Sequence, residues 1–279
     1  MQKILTFFKD VFTHFSKSNT FQEGAALAYY TVFSLLPMLM ITVSIFGMIW
    51  GEAAVAGDLN QGLKDVLGQD MALQVEEIIK QQHTKHNGFL TTIIGIITLA
   101  LGASGMFNQL HTAFNNIWGL KPSSKNGLLV YLTKHLSSFL LLIVTFFLLL
   151  LSLSINSFIT RHGAQLPDGF PLSLMLEYLV SYLLVALVFT LMFKYLGNAI
   201  VHWQAALLGG LFTSFLFLAG KSLIALYIGH SNIATTFGAA SVLALIMVWV
   251  YYTSQMLFLG ASFVYIVSKR LGQVITETN

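Results

Sequence analysis

Two charges stand inside long apolar runs of this sequence, Lys221 and Glu177. A charge in such a place is costly and marks a function or a partner. If successive runs cross a membrane in alternating directions, both charges fall on the same side. Each is then about six or seven residues from the end of its run, roughly 10 Å deep at 1.5 Å per residue. Joined, they would form a buried pair able to line a polar cavity. Apart, each would reach the headgroups along its own side chain. A second set is uncharged: Gln255, Tyr251 and Tyr252 in one run, Tyr29 and Tyr30 in another, Asn156 in a third. Such amides and phenols, turned inward, would bind a polar headgroup or solute. Their commoner use is hydrogen bonding between helices, worth about 0.6 kcal/mol per contact in membranes. The third set is Asn108, Gln109, His111, Asn115 and Asn116, of which Asn108, His111 and Asn115 share a helical face. It reads as a gate, a headgroup site or a solvated helix end. The substrate-contacting candidates are therefore Lys221, Glu177, Gln255, Tyr252, Tyr30, Asn156, Asn108 and His111.

Other chemistries lack their residues. His83 and His86 lie near Glu76 and Glu77, but no third metal ligand is fixed by spacing, and a polar helix face is the plainer reading. There is no cysteine, hence no thiol nucleophile, thiolate metal site or disulfide. Phosphodiester hydrolysis needs clustered carboxylates holding metals or a paired acid and base, and neither pattern occurs. No phosphate-binding glycine loop with its lysine follows a strand. The expectation is a protein that is not an enzyme, with no cofactor and no ATPase of its own. A net charge of +3 without a dense basic stripe also argues against a nucleic-acid partner.

The elements that must position these residues are legible from hydropathy. Hydrophobic residues make up 56% of the 279, and charged residues only 9%, against about 25% charged in soluble domains. Lipid must therefore be the solvent for much of the surface. Residues 1–279 read as one all-α, polytopic membrane domain. Residues 3–18 repeat Ile4, Leu5, Phe8, Val11, Phe12 and Phe15 at helical spacing beside Lys3, Lys9 and Lys17. That predicts an amphipathic helix lying at the membrane surface or packed on the bundle. Six membrane-spanning runs follow, at 24–50, 89–107, 136–159, 172–196, 203–228 and 239–267, each near the ~20 residues needed to cross the hydrocarbon core. Glu23 stands at the entrance of the first, where a carboxylate suits the positive end of the helix dipole. Pro37 predicts a kink within it. Small residues such as Gly102 and Gly105 in the second allow a neighbouring backbone to come close. That helix should continue beyond the membrane as Asn108–Trp118. The acidic stretch 51–87 predicts a helical hairpin outside the bilayer. The first run lacks a cleavage site and is expected to be retained.

Six crossings leave both termini on one side. Lys3, Lys9, Lys17, Lys121, Lys125, Lys134, Lys194, Lys269 and Arg270 fall there, against Lys64, Lys80, Lys85 and Arg161 opposite. The positive-inside rule then predicts cytoplasmic termini and an extracytoplasmic hairpin.

Four stretches carry a resemblance. They are Ala25–Pro37, Ala103–Trp118 with its closing Ala113-Phe114-Asn115-Asn116-Ile117-Trp118, Gly220–Leu226 and Phe237–Phe263. Over nearly its whole length the chain resembles the YihY/BrkB family of bacterial inner-membrane proteins, once mislabelled ribonuclease BN. The resemblance implies six transmembrane helices with cytoplasmic ends in the bacterial plasma membrane. It departs at Gly260-Ala261-Ser262, where the family usually has Gly-Ala-Glu, so no role of that glutamate transfers to Ser262. It departs again at Phe237-Gly238, where the family often has Tyr-Gly. No agreed activity comes with the family. The kinked first run, the small-residue helices and the interior polar groups favour a transporter or flippase-like protein for a lipid-like amphiphile or small polar solute. The alternative is a non-transporting envelope scaffold or assembly partner docking through 51–87. Membrane lipids are the expected partners. The small residues allow helix contacts within one chain or between two copies, so a homo-oligomer stays open.

Overall fold

A computed structural model of the protein describes residues 2–34, 89–120, 172–196, 199–230, 241–273 and 275–277. Among the described residues the chain is helical apart from one pair of two-residue strands. In chain order these are α1 (Gln2–Lys17), α2 (helical residues 20–34), α3 (Phe89–Trp118), α4 (Leu172–Tyr195), β1 (Ala199–Ile200), α5 (Trp203–His230), α6 (Ser241–Arg270) and β2 (Thr276–Glu277). The polar strip after residue 107 does continue α3 as a helix without a break. The Pro37 kink, the 51–87 hairpin with His83 and His86, and the 136–159 run with Asn156 lie outside the described residues. So does the 231–240 segment between α5 and α6.

Lipid as the outer solvent shows in which side chains remain uncovered. On α4, Leu179, Leu183 and Leu187 recur every four residues and are exposed. On α5, Leu207, Leu208, Phe215 and Leu223 are exposed as well. The outer stripe of a helix in a water-soluble protein carries polar residues instead. Among the described residues two segments are long and apolar enough to cross a membrane, Trp203–Lys221 and Leu243–Arg270; Leu179–Tyr195 is apolar but shorter.

The chain divides into two compact units, one comprising Met1–Thr20, Leu110–Leu218 and Met256–Asn279, the other Phe21–Gln109 and Ala219–Gln255. The first is built on an aromatic core. Phe114 of α3 stacks on Trp118 at 4.9 Å and meets Phe193 of α4 and Phe258 of α6 edge-on at 6.0 and 6.4 Å. All four rings are buried. The Trp118 indole N–H donates to the Ala261 carbonyl at 3.3 Å, so its polar edge is satisfied inside the apolar packing. Helices α4 and α5 exchange hydrogen bonds. The Tyr182 hydroxyl donates to the Leu211 carbonyl at 2.9 Å, and the Ser214 hydroxyl to the Tyr182 carbonyl at 3.0 Å. Thr190 and Thr213 turn their hydroxyls back on their own helices, to Ala186 and Gly209 carbonyls, which hides a donor from apolar surroundings.

One end of this unit is basic and aromatic. β1 follows α4, β2 follows α6, and they pair antiparallel, Ala199 with Glu277 and Ile200 with Thr276. That pairing brings the end of α4, the start of α5 and the end of α6 together. The turn after α6 uses Gly272 at φ +69°, with the Gln273 N–H donating to the Ser268 carbonyl at 2.9 Å. This is the glycine-ended cap that satisfies the last free carbonyls of a helix. Lys194 donates to the Val201 carbonyl and lies 5.4 Å from the centre of the Trp203 ring. Tyr195 and Trp203 are half exposed beside it, the placement that aromatic residues take at a membrane–water boundary.

Helix α1 docks at the same end. Val11 and Phe15 are buried. Phe7 meets Phe263 of α6 edge-on at 5.2 Å, Arg270 lies over the Phe7 ring at 4.7 Å, and Arg270 pairs with Asp10 at 3.1 Å. His14 lies flat on Tyr265 at 4.2 Å with Nε2 2.7 Å from the Ile117 carbonyl oxygen, to which it donates its N–H. Burial lowers the His14 pKa below its ordinary 6.5; the Ile117 carbonyl opposes the shift and Lys269 adds to it. Once released, the ring protonates at its ordinary value, so the released state binds more protons in the window just below 6.5. Docking of α1 is therefore fully stable above about pH 6.5 and weakens as pH falls through the lowered pKa. Limited proteolysis of the first twenty residues should accelerate across that window, and His14→Phe should flatten the dependence.

Candidate functional site

The second unit holds a polar cluster. α2 opens just after Asn19, which takes the left-handed φ of 54°, a conformation asparagine tolerates better than most residues. The Thr20 hydroxyl donates to the Phe15 carbonyl at 3.0 Å and closes the turn. This sets Glu23 in the first turn of α2, where free backbone N–H groups favour a carboxylate. The Gln109 side-chain amide of α3 donates to the Glu23 carboxylate. The next residue, Gly24, is where α6 comes in. A Cβ at Gly24 would overlap Gln255 Nε2 and fall 2.8 Å from Ser254 Oγ. A side chain at this position would push that glutamine aside. Two consecutive residues of α2 thus hold one amide from α3 and one from α6.

Further along α2 the contacts turn apolar. The Tyr30 ring lies in the space a Cβ on Gly105 would fill, and Ser34 packs on Gly102 in the same way. Tyr29 meets Tyr30 edge-on at 5.6 Å and Phe33 at 4.8 Å. Ser34 and Ser254 satisfy their hydroxyls on their own helices, at Thr31 and Tyr251 carbonyls. Glu23, Gln109 and the nearby Gln255 therefore make a polar start to a helix interface that continues with Tyr30 on Gly105 and Ser34 on Gly102. The chemistry of that polar start is that of a carboxylate acceptor and two amides, suited to binding a cation, an ammonium or a hydroxylated headgroup.

The sequence candidates fall in different places. Gln255, Tyr30 and the half-buried Tyr252 lie in this unit, with Gln255 in the cluster itself. Asn108 is exposed on α3, while Asn115, seven residues on, is buried in the other unit with half-buried His111 between them. The shared face therefore passes from exposure to burial along its length. Lys221 is exposed on α5, and Glu177 belongs to α4, its side chain outside the described set. Ser262 is fully buried in α6. The Glu23–Gln109 link was not foreseen as a pair. Glu23 had been assigned only to the helix dipole and Gln109 only to the polar strip. A glutamate followed by glycine at the mouth of an apolar run was the available signal.

Comparison with known proteins agrees with this helical membrane architecture. The family model described as virulence factor BrkB matches residues 11–278. A UPF0761 membrane protein of Teredinibacter turnerae is 26% identical over 267 residues, covering 94% of this chain and 60% of the relative. One from Rhodospirillum centenum is 28% identical over 248 residues, covering 88% and 54%. One from Mannheimia succiniciproducens is 26% identical over 271 residues, covering 94% and 89%. The chain thus spans less than two thirds of the length of several of these relatives, 60% in the first case. No solved structure matches the chain. With the family match running almost end to end over a chain of lipid-facing helices, the protein is a membrane protein and belongs to the BrkB family.

Proposed function

We propose that this protein is a multi-pass transporter or flippase-like protein of the bacterial inner membrane, moving a lipid-like amphiphile or small polar solute without an ATPase of its own. The observation that carries the reading is the Gln109–Glu23 hydrogen bond between α3 and α2, next to Gly24, where the Gln255 amide of α6 packs on α2. Polar groups are costly among membrane helices and mark substrate or ion paths there. Binding sites of transporters are commonly assembled from such groups at helix interfaces. Cytoplasmic termini are part of the proposal, supported by Lys194, Lys269, Arg270 and the α1 lysines, which belong to the elements meeting at one end of the first unit.

Reconstitution in vesicles tests this. Purified protein should speed the movement of at least one fluorescent phospholipid or one of a panel of small polar solutes over protein-free vesicles. Equal rates for every lipid and solute would remove the transport reading.

A further inference from the structure

One flank of α1 carries apolar side chains away from the docked face. Phe7, Val11, His14 and Phe15 face the bundle. Leu5, Phe8 and Phe12 follow on the adjoining arc and are 65%, 47% and 62% exposed. At 100° per residue, Lys9 borders that arc, while Lys3 and Lys17 lie beyond the docked face. The exposed arc runs into the outer surface of α5. The Phe8 and Phe212 rings are 6.2 Å apart, and Leu208 and Phe215, one turn to either side of Phe212, are both exposed. That surface belongs to a segment, Trp203–Lys221, long and apolar enough to cross a membrane.

From this continuity we propose that α1 is an in-plane membrane helix whose free flank is covered by the bilayer. Acyl chains lie against Leu5, Phe8 and Phe12, and an anionic phospholipid headgroup lies against Lys9 at the border of that flank. A protein partner would have to sit on a surface that merges, through Phe8 and Phe212, with lipid-facing α5. Lys9 beside the arc complements an anionic leaflet. The proposal depends on the membrane location alone and stands or falls separately from transport.

The chain has no cysteine, so single cysteines can report the surroundings of each face. Phe12→Cys probes the free flank and Thr13→Cys the exposed polar face. Each full-length variant is labelled with a polarity-sensitive fluorophore and reconstituted in phosphatidylcholine vesicles with and without phosphatidylglycerol. Nitroxide lipids quenching shallowly should quench the residue-12 label several-fold more than the residue-13 label, and aqueous iodide should show the reverse order. Replacing Lys9 with Gln should reduce lipid quenching at residue 12 only where phosphatidylglycerol is present. Iodide quenching both labels alike overturns the proposal. A residue-12 label shielded from both quenchers means that protein covers the flank, which also overturns it. Loss of lipid quenching to the same extent in both vesicle types overturns the anionic-headgroup contact.

Discussion

Gly210→Ala is expected to destabilise the protein by about 1–3 kcal/mol, the usual cost of adding a methyl group to a close-packed site. Trimming the side chain opposite should rescue little of it. The new Cβ would overlap Thr190 Oγ1, and also lie 2.6 Å from the Ala186 carbonyl oxygen and 2.9 Å from the Thr190 backbone nitrogen. The last two atoms belong to the α4 backbone and cannot rotate away, so α4 and α5 must part. Parting them stretches the two hydrogen bonds that join Tyr182 to Leu211 and Ser214. Gly260→Ala provides the comparison. Its Cβ would overlap Thr213 Oγ1 and lie 2.8 Å from Phe193 Cζ, both ends of side chains. Thermal unfolding in detergent should therefore show strong coupling between Gly260→Ala and Thr213→Ala, and weak coupling between Gly210→Ala and Thr190→Ala. Equal coupling in both pairs would mean that the α4–α5 approach is not limited by backbone.

How much of this was readable beforehand depends on the range of the signal. Apolar runs report helices because each residue contributes locally, and α4, α5 and α6 lie where hydropathy put them. The continuation of α3 through Asn108–Trp118 was readable too, since polar residues there keep helical spacing around Phe114 and Ile117. The β1–β2 pair was not, because Ala199–Ile200 and Thr276–Glu277 are too short to carry any alternation. Gly102, Gly105, Gly209 and Gly210 announce close approach without naming the neighbour, which depends on register between helices far apart in sequence. The Glu23–Gln109 link is 86 residues long in sequence, and the local Glu23-Gly24 signal marks a close approach without naming Gln109 as the partner. For α1 the packed reading is met on one flank, and the lipid-facing reading of the other is the proposal made above. Phe7, Val11 and Phe15 pack on protein, while Leu5 and Phe12 do not.

In the vesicle assay, Glu23→Gln should lower transport about tenfold or more. The substitution removes the charge offered to a passing cation or headgroup, and each 1.4 kcal/mol of lost binding is about tenfold in an equilibrium or rate. Glutamine keeps the size of the side chain and removes its charge, so packing against α3 changes little. Gln255→Leu should act in the same direction, since it removes the second amide while filling the space beside Gly24. Tyr195→Phe, on an exposed surface of the other unit, should transport as the parent does. Thermal unfolding separates the two roles this cluster can have. If Glu23→Gln and Gln255→Leu transport normally but unfold earlier, the amides and carboxylate serve only to hold α2, α3 and α6 together. If transport falls while the unfolding temperature stays within a few degrees of the parent, the charge at Glu23 is used by the passing substrate or its coupling ion. The second outcome is the expected one. A helix interface already closed by Tyr30 on Gly105 and Ser34 on Gly102 does not need a carboxylate to hold it.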